Sequence, residues 1–396
     1  MNARPIADDL VGRVRRRLAA EGRPPTPAAV AAAVRAEHPA PVGDQTLLRL
    51  TASLRSELTG AGPLEALLAD PTVTDVLVNG ADEVWVDRGD GLRRANAQLG
   101  DDAAVRRLAQ RLATACGRRL DDAQPYVDAR LPDGTRLHAV LPPIAGRGVC
   151  LSLRTFRPRA FTMDELVAAG TLTPLAAELL RVIVDARLAF LVTGGTGSGK
   201  TTLLATLLGL IAPTERIALV EDAAELRPTH PHVVPLQSRP PNADGAGEVT
   251  LRDLVRQALR MRPDRIVVGE CRGAEVAELL AALNTGHDGG AGTLHANSPA
   301  DVPARLEALA ATGGLARDAL HSQLAAALHC VVHVRREPAG RVVDEVCVLR
   351  PDPAGRVVPV SAWRRDGDLG AGAPFLAELL ARRRVRCPLP SDGGAW

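Results

Sequence analysis

Lysine is almost missing from this chain of 396 residues: Lys200 is the only one, and every other basic position is arginine or histidine. Arginine has replaced lysine wherever the exchange is harmless, so the survivor marks a place where a slim ammonium is needed and a planar guanidinium does not fit. Aromatic residues make up only 2%, which argues against the stacking platforms that bind single-stranded nucleic acid. Excess charge is missing too: 48 basic residues stand against 46 acids, a net charge of +2, with no strong pull toward nucleic acid. Cys116, Cys150, Cys271, Cys330, Cys347 and Cys387 lie far apart with no CxxC pair. That spacing excludes a zinc site and a disulfide framework, and fits reduced thiols in a cytoplasm. Asp8, Asp9, Arg13 and Arg15 to Arg17 interrupt any apolar signal core. No run of about 18 apolar residues occurs, so no membrane-spanning segment is expected.

What remains is a chain with 46% hydrophobic residues, long enough for two or three domains with buried cores. Residues 1–59 read as a helical arm, with Thr26-Pro27 as a cap and first turn and Leu47, Leu50, Leu54 and Leu58 on one helical face. Residues 60–156 read as a smaller α+β domain. Its strands fall near Val73–Val78 and Val84–Val86, its helix at Asp101–Cys116, and it has a turn at Pro132-Asp133-Gly134. Residues 157–160, with Pro158, are the expected hinge. From 161 to 350 helices and strands alternate, which implies a mainly parallel sheet covered on both faces. Residues 351–396 are expected to be a less ordered C-terminal extension.

An apolar run, Leu188 to Thr193, leads into Gly194-Gly195-Thr196-Gly197-Ser198-Gly199-Lys200-Thr201-Thr202 and then into a leucine-rich helix. Each part of this phosphate-loop pattern has a task. The glycines let backbone N–H groups turn toward phosphates, and the helix start adds partial positive charge. Lys200 reaches the β- and γ-phosphates, and the Thr201 hydroxyl ligates Mg²⁺. The loop backbone is not expected to depend on the Lys200 side chain. ATP and Mg²⁺ are therefore the expected cofactors.

Two further strands end in acids: Arg265 to Glu270 (RIVVGE), and Val220-Glu221-Asp222 with Glu225 one turn on. Parallel sheets carry their sites beyond the carboxyl ends of the strands. Glu270 is thus expected beside the loop, holding the metal's water or orienting the attacking water, with Glu221 as the alternative base and Asp222 near the metal. His287 and His295 flank a glycine-rich run, Gly289 to Gly292, that enters a strand. They are either structural or sensors of the γ-phosphate.

The order of the phosphate loop, VEDAAEL (220–226), LRMRPDRIVVGE (259–270) and TGHDG…TLHANSP (285–299) resembles the secretion traffic ATPases of type II and type IV secretion and type IV pili. Upstream, GPLEALLADPTVTDVLVNG (62–80) and VDARLPDGTRLHAVLPP (127–143) are similar to the CpaF-like (TadA-type) branch that serves tight-adherence (Flp) pili. The resemblance implies a RecA-like P-loop ATPase domain, a homohexameric ring, and an inner-membrane platform protein as partner. It implies a cytoplasmic location at the inner face of the cell membrane. Glu221 and Asp222 then match the family's Asp box, Glu270 its Walker B acid, and His287 and His295 its His box. Arg136 and Arg154 sit where the family brings arginines to the γ-phosphate, and Arg130 is a further candidate. Departures are Thr155 in place of a second basic residue, Gly292 in place of a hydroxylated one, and Cys271 in place of an aliphatic one. The four-cysteine zinc insertion of type II ATPases is absent, which favours the pilus and type IV side. The implied function is an ATP-hydrolysing motor for pilus assembly or secretion. Its rivals are a conjugal or type IV ATPase that moves DNA or protein, and a nucleotide-gated scaffold with little turnover.

Overall fold

The computed structural model describes residues 10–390, apart from 11, 15, 19, 23–25, 39–42, 48–49, 52–53, 55–59, 90, 156–160, 240 and 242–245. The expected hinge at 157–160 therefore lies outside the described residues, as does much of the arm's third helix. The chain divides into two compact units, residues 1–157 and 158–396.

In the first unit the helix Pro27–Glu37 starts where the Thr26 hydroxyl accepts the Ala29 N–H at 3.2 Å. Proline at the first helical position costs nothing, because its missing N–H has no intrahelical partner there. Val30, Ala33 and Val34 bury against Leu10, Val14, Leu18, Leu47 and Leu54. A six-stranded antiparallel sheet follows, made of β1 (Asp75–Asn79), β2 (Val84–Asp87), β3 (Leu92–Arg94), β4 (Tyr126–Arg130), β5 (Arg136–Val140) and β6 (Cys150–Arg154). Its spatial order is β3-β2-β1-β6-β5-β4. The alternation of β1 and β5 places Val76, Val78, Leu137 and Ala139 in a core with Val105, Leu108 and Leu112 of the helix Asp102–Ala115.

The second unit is built on eight strands: β7 (Phe190–Gly194), β8 (Ile217–Glu221), β9 (Val233–Gln237), β10 (Arg265–Cys271), β11 (Ala291–His295), β12 (Cys330–Glu337), β13 (Gly340–Pro351) and β14 (Val357–Arg364). They lie in the order β14-β13-β12-β7-β11-β10-β8-β9. From β12 to β9 every pairing is parallel, while β13 and β14 add antiparallel strands at one edge. Every residue of β7 and β8 is buried, as a sheet covered on both faces requires. Phe190 and Val192 enter the core formed with helices Pro174–Asp185, Lys200–Leu208 and Ala373–Arg382. Leu191 points to the opposite core, with helices Leu251–Ala258, Glu275–Leu283 and Arg317–Ala327. This is the α/β, RecA-like, mainly parallel architecture expected of the domain.

The segment after residue 350 differs from expectation. Pro351 closes β13, β14 extends the sheet, and the helix Ala373–Arg382 buries Leu376 and Leu380 in the main core beside Trp363. The turn residues 352–355 mark a hairpin between β13 and β14 rather than the end of the ordered fold: the N–H of Gly355 donates to Asp352 O at 2.9 Å.

Candidate nucleotide site

The loop between β7 and the helix Lys200–Leu208 is held from three sides. Gly194 has φ 149°, and a Cβ there would stand 2.2 Å from the Val334 carbonyl oxygen of β12 and 2.6 Å from Ser198 Oγ. Only glycine lets the chain leave the strand against its neighbour. Gly199 caps the helix in the left-handed region, at φ 98°. Lys200 opens the helix and is buried, and its Nζ donates to Gly194 O at 3.0 Å and Gly195 O at 2.8 Å. The loop backbone does lean on that side chain, contrary to expectation. Burial lowers the pKa of the Lys200 ammonium, and the Glu270 carboxylate opposes that shift. Thr201 and Thr202 continue the first helical turn behind Lys200. With Thr196, Gly197 and Ser198 they make a strand–loop–helix turn in which N–H groups and the helix start converge, the geometry that takes phosphates.

Beside β7 lies β11, in register so that His295 pairs with Gly194. His295 Nδ1 is 3.4 Å from Lys200 Nζ, and its Nε2 is 2.8 Å from Glu270 Oε1 at the end of β10. An ammonium facing Nδ1 makes that nitrogen the acceptor, so the ring hydrogen sits on Nε2, toward Glu270. Burial, then the Lys200 cation, lowers the His295 pKa and favours the neutral ring. Glu270 Oε1 is buried and meets the His295 ring, and its other oxygen meets Arg272. A carboxylate at a strand end and a hydroxyl at the helix start are hard-oxygen donors of the kind Mg²⁺ takes. Thr201 and Glu270 are therefore the residues that would hold the ion.

Arg272 was not singled out from the sequence. Its guanidinium contacts Glu270 and lies 3.9 Å from Asp222 Oδ2, bridging the two acidic strand ends. Glu275 fixes the backbone here, accepting the N–H of Arg272 at 2.6 Å and of Gly273 at 2.8 Å. The signal available was an arginine two residues after a strand-end acid.

Glu221 and Asp222 stand farther out. Strand order places β8 three spacings from β7, roughly 14 Å at about 4.8 Å each. Asp222 accepts from Ser238 Oγ at 3.1 Å, so it sits with Ser238 and Arg272 rather than with Thr201, a correction to its expected place at the metal. Glu221 is buried beneath Gly269, and its Oε1 accepts the N–H groups of Glu225 at 3.0 Å and Leu226 at 2.9 Å. Burial raises its pKa, and those two backbone donors oppose the shift. Between the two glutamates, the geometry favours Glu270 for work beside the phosphate loop.

His287 does not join the site. It precedes β11 and so lies at the opposite end of the strands from His295, beyond a strand length of roughly 13 Å at about 3.3 Å per residue. There its Nδ1 lies 3.2 Å from Ala282 O, at the end of the helix Glu275–Leu283. His295 is the last residue of β11 and His287 lies before its first, so flanking the same glycine run does not bring them together.

In the first unit Arg130, Arg136 and Arg154 pair across β4, β5 and β6 in one row that continues to Asp75 on β1. Like charges directly opposite one another are unfavourable in a sheet. Arg154 Nε lies 3.9 Å from Asp75 Oδ1, and Arg130 Nε donates to Gly134 O at 3.0 Å.

A parallel sheet carrying a glycine-rich phosphate loop with its lysine at a helix start, and an acid at a nearby strand end, defines the P-loop ATPases. Within that class the chain belongs to the type II/IV secretion system protein family, whose model matches residues 57–350. It is 59% identical over 349 residues to a Mycobacterium tuberculosis protein named "putative conjugal transfer protein", covering 86% of this chain and 99% of that one. It is 32% identical over 284 residues to the conjugal transfer protein TrbB of Rhizobium radiobacter, covering 70% and 84%. The pilus retraction motor PilT, solved with bound ADP, shares the fold with a TM-score of 0.53 at 22% identity, over 74% of this chain and 83% of that one. The Legionella pneumophila ATPase DotB does so with a TM-score of 0.50 at 20% identity, over 81% and 85%. Among the described residues no helix is long and apolar enough to cross a membrane.

Proposed function

We propose that this chain hydrolyses Mg·ATP as a homohexameric ring at the inner face of the cell membrane and powers a pilus-assembly or secretion machine. One observation carries the chemistry: His295 stands between Lys200 and Glu270 at the ends of adjacent strands, beside the phosphate loop. In this reading the loop and Lys200 hold the phosphates, and Thr201 and Glu270 would hold Mg²⁺, which would supply neutralising charge there. Glu270 orients the attacking water, and His295 fixes the carboxylate that does so. Arg136 and Arg154 supply a planar fork for charge that develops on the γ-phosphoryl oxygens.

The upstream motifs at 62–80 and 127–143 support a tight-adherence pilus. The names of the relatives support a second reading, conjugal transfer, with the same site and a different cargo. A phosphate-release assay over a range of protein concentrations tests the motor. Specific activity should rise with concentration, and Arg136→Ala should lower turnover with little change in nucleotide affinity. A monomer with concentration-independent activity would refute the ring, and a chain that binds ATP without releasing phosphate would be a scaffold. Stimulation by added DNA, or a conjugation protein recovered with the chain from membranes, would decide for the second reading.

A further inference from the structure

The hairpin of β12 and β13 carries three arginines near its turn, and they do not have the same surroundings. Arg335 takes both nearby acids, with Nη2 2.9 Å from Glu337 and 2.9 Å from Asp344. Arg336 and Arg341 are cross-strand partners on the other face of the hairpin. Neither makes an ion pair among the described residues. Two unneutralised guanidinium groups set directly opposite each other repel, and here they are held against the phosphate loop. Arg341 Nε donates to Gly197 O at 3.0 Å. Its stem lies over Gly199, where an added Cβ would meet Arg341 Cδ at 3.0 Å, and Arg336 Nη1 stands 3.9 Å from the place of a Cβ on Gly197.

That contact has a direction. It runs from Nε to the Gly197 carbonyl alone, and the N–H of the next residue, Ser198, donates within the loop to Gly195 O at 3.4 Å. The Nε bond uses one of the five guanidinium hydrogens and leaves the forked end of Arg341 free. Both side chains are exposed, so the fork is accessible to a ligand entering the loop.

We propose that Arg336 and Arg341 form an anion clamp on the hairpin side of the loop, which takes the phosphate chain of a bound nucleoside triphosphate together with Lys200. The clamp rests on the nucleotide reading above and adds to it. It makes the hairpin part of the nucleotide site, and it links that site to β13, β14 and the helix Ala373–Arg382.

The test is equilibrium binding of ATP, ADP and pyrophosphate to the full chain at several salt concentrations. Wild type is compared with Arg341→Gln, Arg341→Lys, Arg336→Gln and the double glutamine variant. Removing a charge-assisted contact should weaken ATP binding about tenfold or more for Arg341→Gln. The double variant should lose more, and the salt dependence of its affinity should become shallower, because fewer cations meet the phosphates. Arg341→Lys should recover part of the loss. Pyrophosphate should follow ATP, which damage confined to a base or ribose contact would not produce. Glutamine variants that keep wild-type melting temperature and bind ATP within about twofold of wild type would overturn the clamp. So would unchanged affinity with an altered distribution of oligomers, which would assign the pair to a contact between copies. An equal loss at every salt concentration would leave Arg341 as a support of the loop alone and would also overturn it. If wild type itself binds no nucleotide, the failure belongs to the underlying nucleotide reading.

Discussion

His295 Nε2 and Glu270 Oε1 lie 2.8 Å apart at the ends of adjacent parallel strands, on the side of the sheet where the phosphate loop opens. Glu221, the other candidate base, has its Oε1 held by two backbone N–H groups. Glu270→Gln should therefore bind Mg·ATP and lose roughly 10²- to 10⁴-fold in turnover, the usual contribution of a proton-handling or water-orienting group. Glu221→Gln keeps an oxygen for the same two donors and should lose less than about tenfold. Phosphate release under saturating ATP separates them. A deeper loss for Glu221→Gln would reverse the assignment.

Lys200→Ala removes both the phosphate-binding ammonium and the two bonds to Gly194 O and Gly195 O. Nucleotide binding should be lost, and hydrogen exchange at residues 194–199 should speed up, while the sheet core stays protected. Lys200→Arg should fail as well, because the guanidinium does not fit where the ammonium reaches. Turnover at the wild-type rate in a folded Lys200→Arg chain would contradict this account of the loop.

Gly269→Ala tests the packing of the acidic strand ends. A Cβ there would stand 2.7 Å from Glu221 Cγ and 3.1 Å from its Oε1. Both groups are buried, so relief requires backbone movement, and denaturant unfolding should show a loss of roughly 1–3 kcal/mol. Gly146→Ala, where a Cβ meets nothing within 4 Å, is the control and should stay within about 0.5 kcal/mol.

His329 sets a pH dependence. Its Nδ1 accepts the Ala189 N–H at 3.0 Å, and burial, then the nearby Arg383 cation, lowers its pKa below the ordinary 6.5, with Asp288 opposing. A histidine with a lowered folded pKa takes up protons more readily when unfolded. Its contribution is complete above the unfolded value and is lost as pH falls through 6.5 toward the folded one. An asparagine side chain does not titrate and can offer an oxygen to the same N–H, so His329→Asn should lose less melting temperature than wild type between about pH 7.5 and 5.5. Parallel losses in the two proteins would show that His329 does not contribute.

The parallel sheet was legible because Leu188–Thr193, Ile217–Val220 and Ile266–Val268 are unbroken apolar runs, the mark of strands buried on both faces. The phosphate loop was legible because its tasks need fixed residue types in consecutive positions. β9 was not, since Val233–Gln237 is an edge strand containing Pro235 and only partly buried. β14 was hidden behind the turn signals at 351–355, which read equally well as an ending or a hairpin. His287 was misplaced because spacing along the chain does not tell which end of the strands a residue reaches. Arg272 and Arg341 meet neighbours distant in sequence, Asp222 and Gly197, which one-dimensional patterns do not carry.

Lys200 is 7% exposed, with its amine engaged by its own loop. No other side chain here carries a primary amine. Acylating labels, amine-directed crosslinkers and lysine-modifying enzymes thus have a single side-chain target, and it is enclosed in the nucleotide site. Mapping neighbours in an assembled machine calls for carboxylate- or arginine-directed reagents instead. Conversely, a nucleotide analogue that delivers an acyl group to an amine would mark this one lysine and report whether the loop is occupied.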